Sequence, residues 1–157
     1  MLSDLPEPIP LEHILRDLRH NLEGSPTAML GEVGLDRAAR IPVNCSTTSP
    51  VELSSFMVPL EHQLIILEAQ VDLAVELGRN ISMHSVKSTQ ATLALLGNMQ
   101  KKYRASWLRI SIDFHSCSLS LETWKAIEAS LLPENTTLSL KMNRSTTGMF
   151  LCHCPLP

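Results

Sequence analysis

The sequence predicts an α/β fold built on a parallel sheet, and three observations point to it. Short apolar runs of strand composition alternate with amphipathic stretches of helical period, the order expected where strands are joined by single-helix crossovers. Each of three runs carries a chemistry-bearing side chain to its end: Glu32 in Thr27-Ala-Met-Leu-Gly-Glu-Val-Gly-Leu-Asp36, His84 in Asn80-Ile-Ser-Met-His-Ser85, and His115 in Leu108-Arg-Ile-Ser-Ile-Asp-Phe-His115. The intervals between them are 52 and 31 residues, against roughly 30 for one strand-plus-helix unit.

Taken in order, residues 1–9 form a loose, proline-rich lead. From Pro10 to Leu22 the apolar positions Leu11, Ile14, Leu15, Leu18 and Leu22 recur at helical spacing, with Gly24 as a stop, which predicts an amphipathic helix. His13 and His20 fall on its charged face and are expected to be solvated. The strand bearing Glu32 comes next, its acid flanked by Gly31 and Gly34, which allow close approach of backbone or ligand. A long loop is expected from residue 37 to 58, over the strand ends; loops of this length in compact domains are often functional.

A second helix is predicted over 59–77, with Pro59 suited to the first turn, Gly78 to the stop, and Leu60, Leu64, Leu67, Val71 and Ala74 on the packed face. Ile81 to His84 reads as the next strand. Residues 88–103 read as a helix with Leu93, Leu96 and Tyr103 inward, and Lys101, Lys102 and Arg104 at its end as a solvated cluster that favours the helix dipole. Trp107 to Phe114 reads as the third strand, 120–131 as a helix with Ser120 at its N-cap, and 136–142 as a fourth strand. Beyond Arg144 no period is visible.

With 157 residues the chain can bury about 70% of its unfolded surface as one domain, yet it is short of the roughly 250 residues of a complete eight-stranded barrel. A formal net charge of −3 argues against general polyanion binding and leaves a local basic site open. No run has the length of a membrane span, and the start, Met-Leu-Ser-Asp-Leu-Pro-Glu-Pro, is acidic and proline-broken, unlike a signal peptide. The expected compartment is cytoplasmic or nuclear. Cys45, Cys117, Cys152 and Cys154 form no C-x-x-C pair and are expected to be free thiols. Cys152-His153-Cys154 offers three adjacent donors without a partner cluster, a poor zinc site.

In parallel sheets the ligand site lies at the carboxyl ends of the strands, where Glu32, His84 and His115 fall. One carboxylate with two imidazoles suits zinc, manganese, iron or nickel better than magnesium or calcium, which prefer oxygen shells. The plain alternative for any one histidine is a partly buried core residue satisfied by backbone, but three such residues at three strand ends favour a site. Nucleophile and nucleotide signatures are missing: there is no G-x-S-x-G, no Walker A loop and no G-x-G-x-x-G. Cys117 near His115 lacks an orienting third group and reads as a packing or loop residue.

Gly31-Glu-Val-Gly-Leu-Asp36, Gln70-Val-Asp-Leu-Ala-Val-Glu-Leu77, Met83-His-Ser85 and Phe114-His-Ser-Cys-Ser118 together resemble the TatD family of metal-dependent hydrolases and deoxyribonucleases, most closely its fungal branch. The resemblance covers residues 10 to 145. It implies an arc of a TIM-type (β/α) barrel, roughly strands three to six, over residues 1–147, with 148–157 an unstructured or non-homologous tail. It also implies a divalent metal ion (zinc, manganese or magnesium) held by Glu32, His84 and His115, with Glu32 catalytic, hydrolysis of phosphodiester or related ester bonds, and DNA as a substrate. The family's first-strand His-x-His pair and last-strand Asp are not in this chain. Val86 stands where the family has Arg, and Leu119 where it has Gly. Activity impaired by missing ligands is therefore expected. The alternatives are an inactive fragment, or a protein whose fold survives as an interaction surface for a protein partner.

Overall fold

The computed structural model describes residues 7–42, 53–115, 120, 122, 125, 129 and 150–152. Within them the order is α1 (Leu11–Gly24), β1 (Leu30–Asp36), β2 (Arg40–Pro42), β3 (Leu53–Met57), α2 (Leu60–Glu76), β4 (Ile81–Val86), α3 (Thr89–Tyr103), a 3₁₀ segment (Arg104–Arg109), β5 (Ile112–His115) and β6 (Phe150–Cys152). The main sheet has the order β1-β4-β5-β6, with β1, β4 and β5 parallel and β6 antiparallel on the outer edge of β5. The chain is thus a mixed α/β protein around a parallel sheet.

The two faces of that sheet are chemically distinct because strand side chains alternate. Ile81 and Met83 of β4, Ile112 and Phe114 of β5, and Val33 and Leu35 of β1 point one way. There they form a single apolar cluster with Leu67, Val71, Ala74 and Val75 of α2 and Leu95, Leu96 and Met99 of α3. Phe114, Met83, Ile81 and Leu35 are fully buried, and each side chain of that size contributes about 1.5–3 kcal/mol by leaving water. Both helices pack on this face, which leaves the opposite face for Glu32, Ser82, His84, Asp113 and His115.

Register is held at the amino ends of the strands by Asn80. Its carbonyl accepts the Leu30 N–H at 2.8 Å and its side-chain oxygen accepts the Ser111 N–H at 2.9 Å, while Ile81 N–H bonds the Ser111 carbonyl. Arg79, one residue earlier, donates to the carbonyls of Pro26 and Leu22, tying the end of α1 to the turn before β1. Arg19 of α1 reaches Glu76 of α2 at 2.6 Å; its hydrogen bond holds the Glu76 carboxyl below the usual carboxylate range and raises the guanidinium. At the carboxyl end, Ser85 and Thr92 share a buried hydroxyl contact of 2.8 Å, and Thr92 donates to the Ser88 carbonyl, fixing the first turn of α3 beneath the end of β4.

Four expectations require correction. Residues 37–58 are not all loop: β2 and β3 form a separate antiparallel pair, tied by the Ser54 hydroxyl donating to the Ile41 carbonyl. The strand expected from Trp107 begins at Ile112. Trp107 and Ile110, both buried, are three residues apart, a spacing that the 3₁₀ turn satisfies and strand alternation does not. The helix end at Lys101-Lys102 is not merely solvated, since Lys102 pairs with Asp72 at 2.7 Å and stands 5.1 Å from the Tyr103 ring centre. The unpatterned tail contributes β6, since backbone pairing requires no side-chain period. Of the helix expected over 120–131, Glu122, Lys125 and Ala129 are helical and exposed. The fourth strand expected at 136–142 and the cysteines Cys45, Cys117 and Cys154 lie outside the described residues. No helix among the described residues is long and apolar enough to cross a membrane.

Asn80→Ala removes the side-chain acceptor of Ser111 and is expected to lower the unfolding free energy by about 1 kcal/mol in urea titration, with Asn80→Asp retaining most of it. Equal loss in both variants would assign the effect to something other than this acceptor.

Candidate metal centre

The site begins with an irregularity in β1. Leu30 pairs with Ile81 and Val33 with Met83, so Gly31 and Glu32 together stand opposite the single residue Ser82. This is a β-bulge, which re-aims side chains and breaks alternation. It explains why Leu30, Val33 and Leu35 are all buried although the first two are three apart. The bulge frees Glu32 from the core face and sends it across the sheet.

Beyond the bulge the register is regular, and Gly34, His84 and His115 lie side by side across three strands. Gly34 is required there: a Cβ built on it would stand 2.7 Å from His84 Cδ2 and would overlap the His84 carbonyl oxygen. The space a side chain would take is filled by the His84 imidazole. Gly31 is constrained likewise, since its Cβ would meet the Ser82 Cβ at 2.8 Å.

The three residues singled out in the sequence converge. One donor atom from each of Glu32, His84 and His115 lies within 4.8 Å of the others. The imidazoles of His84 and His115 are 5.9 Å apart, edge to face at 65°. Glu32 Oε2 is 3.5 Å from His115 Nε2, with the histidine side chain 13% exposed and the glutamate 71%. Two donors each about 2.1 Å from a tetrahedral ion are about 3.4 Å apart, so this pair already has the separation of two ligands on one ion. Glu32 reaches β5 from β1 across the intervening strand, roughly 10 Å at about 4.8 Å per strand, a span that needs the length of glutamate.

Only His115 is at a strand's last residue. His84 is fourth of six in β4 and Glu32 third of seven in β1, so the donors stand on the sheet face near the carboxyl ends and not on loops beyond them. The strands support the cluster on backbone that is itself hydrogen-bonded.

Ser82, which the sequence did not distinguish, lies with its hydroxyl 3.1 Å from His115 Nδ1. A partner at Nδ1 fixes the ring orientation so that Nε2 faces Glu32, the arrangement that tunes histidine ligands in metal centres. Gln63 of α2 was also missed. It accepts the Asp36 N–H at 2.7 Å and donates to the carbonyls of Asp36 and Val58, clamping the end of β1 to the segment returning from β3. A hydrophobicity pattern carries no signal for either residue, because both act through polar contacts made only in the fold.

Two imidazoles and a carboxylate near the carboxyl ends of a parallel sheet form a group that could hold a metal ion. The chain belongs to the TatD related DNase family, whose model matches residues 6–145. Among curated relatives, the Cut9-interacting protein scn1 of Schizosaccharomyces pombe is 38% identical over 112 residues, 68% of this chain and 32% of that protein. The uncharacterized deoxyribonuclease YMR262W of Saccharomyces cerevisiae is 30% identical over 126 residues, 78% of this chain and 38% of that protein. The chain therefore covers well under half the length of these relatives. No solved structure matches it.

Ser82→Ala is expected to weaken Zn²⁺ binding about tenfold in isothermal titration calorimetry without lowering the thermal midpoint of the metal-free protein. An unchanged affinity would show that the Ser82 contact does not tune His115.

Proposed function

We propose that this chain is a TatD-like hydrolase segment that binds one divalent ion through Glu32, His84 and His115 and acts on phosphodiester or related ester bonds, with DNA as the substrate class. The observation that carries this reading is the convergence of the three donors within 4.8 Å on one polar sheet face. The fold supports it: β1, β4 and β5 step in one direction across the sheet with α2 and α3 on one side. That singly wound order supports reading the three strands as an arc of a (β/α) barrel, with the polar face as its interior.

The donor chemistry fits zinc or manganese best, since two of three ligands are nitrogen. When bound, such an ion supplies Lewis-acid polarisation of a phosphoryl or acyl oxygen and activation of water. The protein's own residues do the remainder. His84 and His115 fix position from two adjacent hydrogen-bonded strands. Glu32, the most exposed of the three, is placed to take a proton from an attacking water. At the same carboxyl ends, Arg37 N–H bonds the Val86 carbonyl at 3.1 Å, which brings the exposed Arg37 and Lys87 next to each other, where a phosphate would approach. The Lys101, Lys102 and Arg104 cluster is at the other end of the sheet, where α3 leads into β5, and does not serve this site.

The donor set in this chain is smaller than the one the family resemblance implies, and turnover should be low. In an assay of DNA digestion with Mn²⁺ or Mg²⁺, the chain is expected to release nucleotides slowly and Glu32→Ala to release none above the no-protein control. Equal rates for the two would sink the activity.

A second reading, as an interaction module, is favoured by a different observation. Leu53, Phe56 and Met57 on β3 are each more than half exposed, and one relative bears the name of a Cut9-interacting protein. Light scattering that finds a monodisperse monomer at high concentration would count against self-association through this ribbon.

A further inference from the structure

Beneath the three donors the same sheet face holds a second carboxylate. On β5, Ile112 and Phe114 enter the apolar core, so Asp113 and His115 between and beyond them face the site. Asp113 pairs in register with Ser82, as His115 pairs with His84, which puts it one layer deeper, about 6.6 Å along the strand from His115. It is 8% exposed, and its Oδ1 is buried without a hydrogen-bond donor among the described residues. No lysine, arginine or histidine among the described residues forms an ion pair with it. Its layer is otherwise made of small side chains, with Gly31 against Ser82.

Burying a carboxylate without a positive charge beside it is unfavourable. Side chains of this kind persist where a cation compensates them or where they perform a task. A histidine and a hydroxyl lie on the same face, with Glu32 beside them, a setting in which a divalent cation would be the compensating charge.

We propose that Asp113 is a further carboxylate donor to a divalent cation held on this sheet face, so that the face offers two acids, the exposed Glu32 and the buried Asp113. Two carboxylates and two neutral imidazoles balance the charge of a divalent ion. This inference rests on the metal reading of Glu32, His84 and His115 and extends it by one residue that the sequence pattern treats as part of a strand.

The test is Mn²⁺ titration by calorimetry, together with thermal unfolding of the metal-free protein, for the full chain and its Asp113→Asn and His84→Ala variants at neutral pH. Asp113→Asn is expected to bind Mn²⁺ at least about tenfold more weakly, while its metal-free form melts at the same or a higher temperature, because an uncompensated charge has been removed. If His84→Ala binds as tightly as the unmodified chain, the three-donor reading itself fails. If His84→Ala loses binding and Asp113→Asn does not, only the role of Asp113 is overturned. A metal-free Asp113→Asn protein that melts lower, or fails to fold, would also overturn it, since that result assigns Asp113 to an internal structural contact.

Discussion

The backbone register of three parallel strands is the constraint on which the rest of the structure depends. Because side chains alternate across a strand, a slip of one residue in β4 or β5 would turn His84 or His115 into the core and Met83 or Phe114 out to solvent. The apolar cluster under α2 and α3 therefore fixes the site as firmly as it fixes the fold. Asn80 adds a polar lock at the amino ends by tying β1 and the approach to β5 to the same residue. The bulge at Gly31 and Glu32 is the one place where the ladder is broken, and it is there that the acid leaves its expected face.

Glycine completes the arrangement where the sheet is tightest. At Gly34 the imidazole of a neighbouring strand occupies the volume of a side chain, so the position is a steric requirement of the histidine beside it. The buried hydroxyl pair of Ser85 and Thr92 does comparable work on the other face, connecting the end of β4 to the helix that follows. Together these contacts hold the donors on a rigid surface, which is the condition for ligands to meet without a large ordering cost on binding.

Much of this was legible in the sequence. Glu32, His84 and His115 stood out because each is a polar, metal-type side chain inside an apolar run; the 31 residues from His84 to His115 match one strand-helix unit, while the 52 from Glu32 to His84 also contain the β2–β3 ribbon. The helices were legible from period and from Pro59 and Gly78 at their limits. The β2–β3 ribbon was not, because Leu53, Phe56 and Met57 show no inward alternation and the pair is ordered by backbone bonds and the Ser54 hydroxyl. Ser82, Gln63 and Asp113 were passed over for a related reason: each acts through what lies beside it across the chain, 33 residues away for Ser82 and His115 and 27 for Gln63 and Asp36, and no local pattern records such partners. The 3₁₀ turn before β5 was hidden because Trp107, Leu108 and Ile110 have the composition of a strand, although the spacing of the buried Trp107 and Ile110 is that of a 3₁₀ turn.

In the proposed centre both imidazoles and a carboxylate share one ion. X-ray absorption at the zinc edge of the zinc-loaded chain tests it most directly. A first shell containing two imidazole nitrogens at about 2.0–2.1 Å is expected, with oxygen donors completing it, and the imidazole multiple-scattering signature should fall by half in His115→Ala. A first shell of oxygen alone, or one containing sulfur at about 2.3 Å, would contradict it and move any bound zinc away from the sheet face that the three strands build.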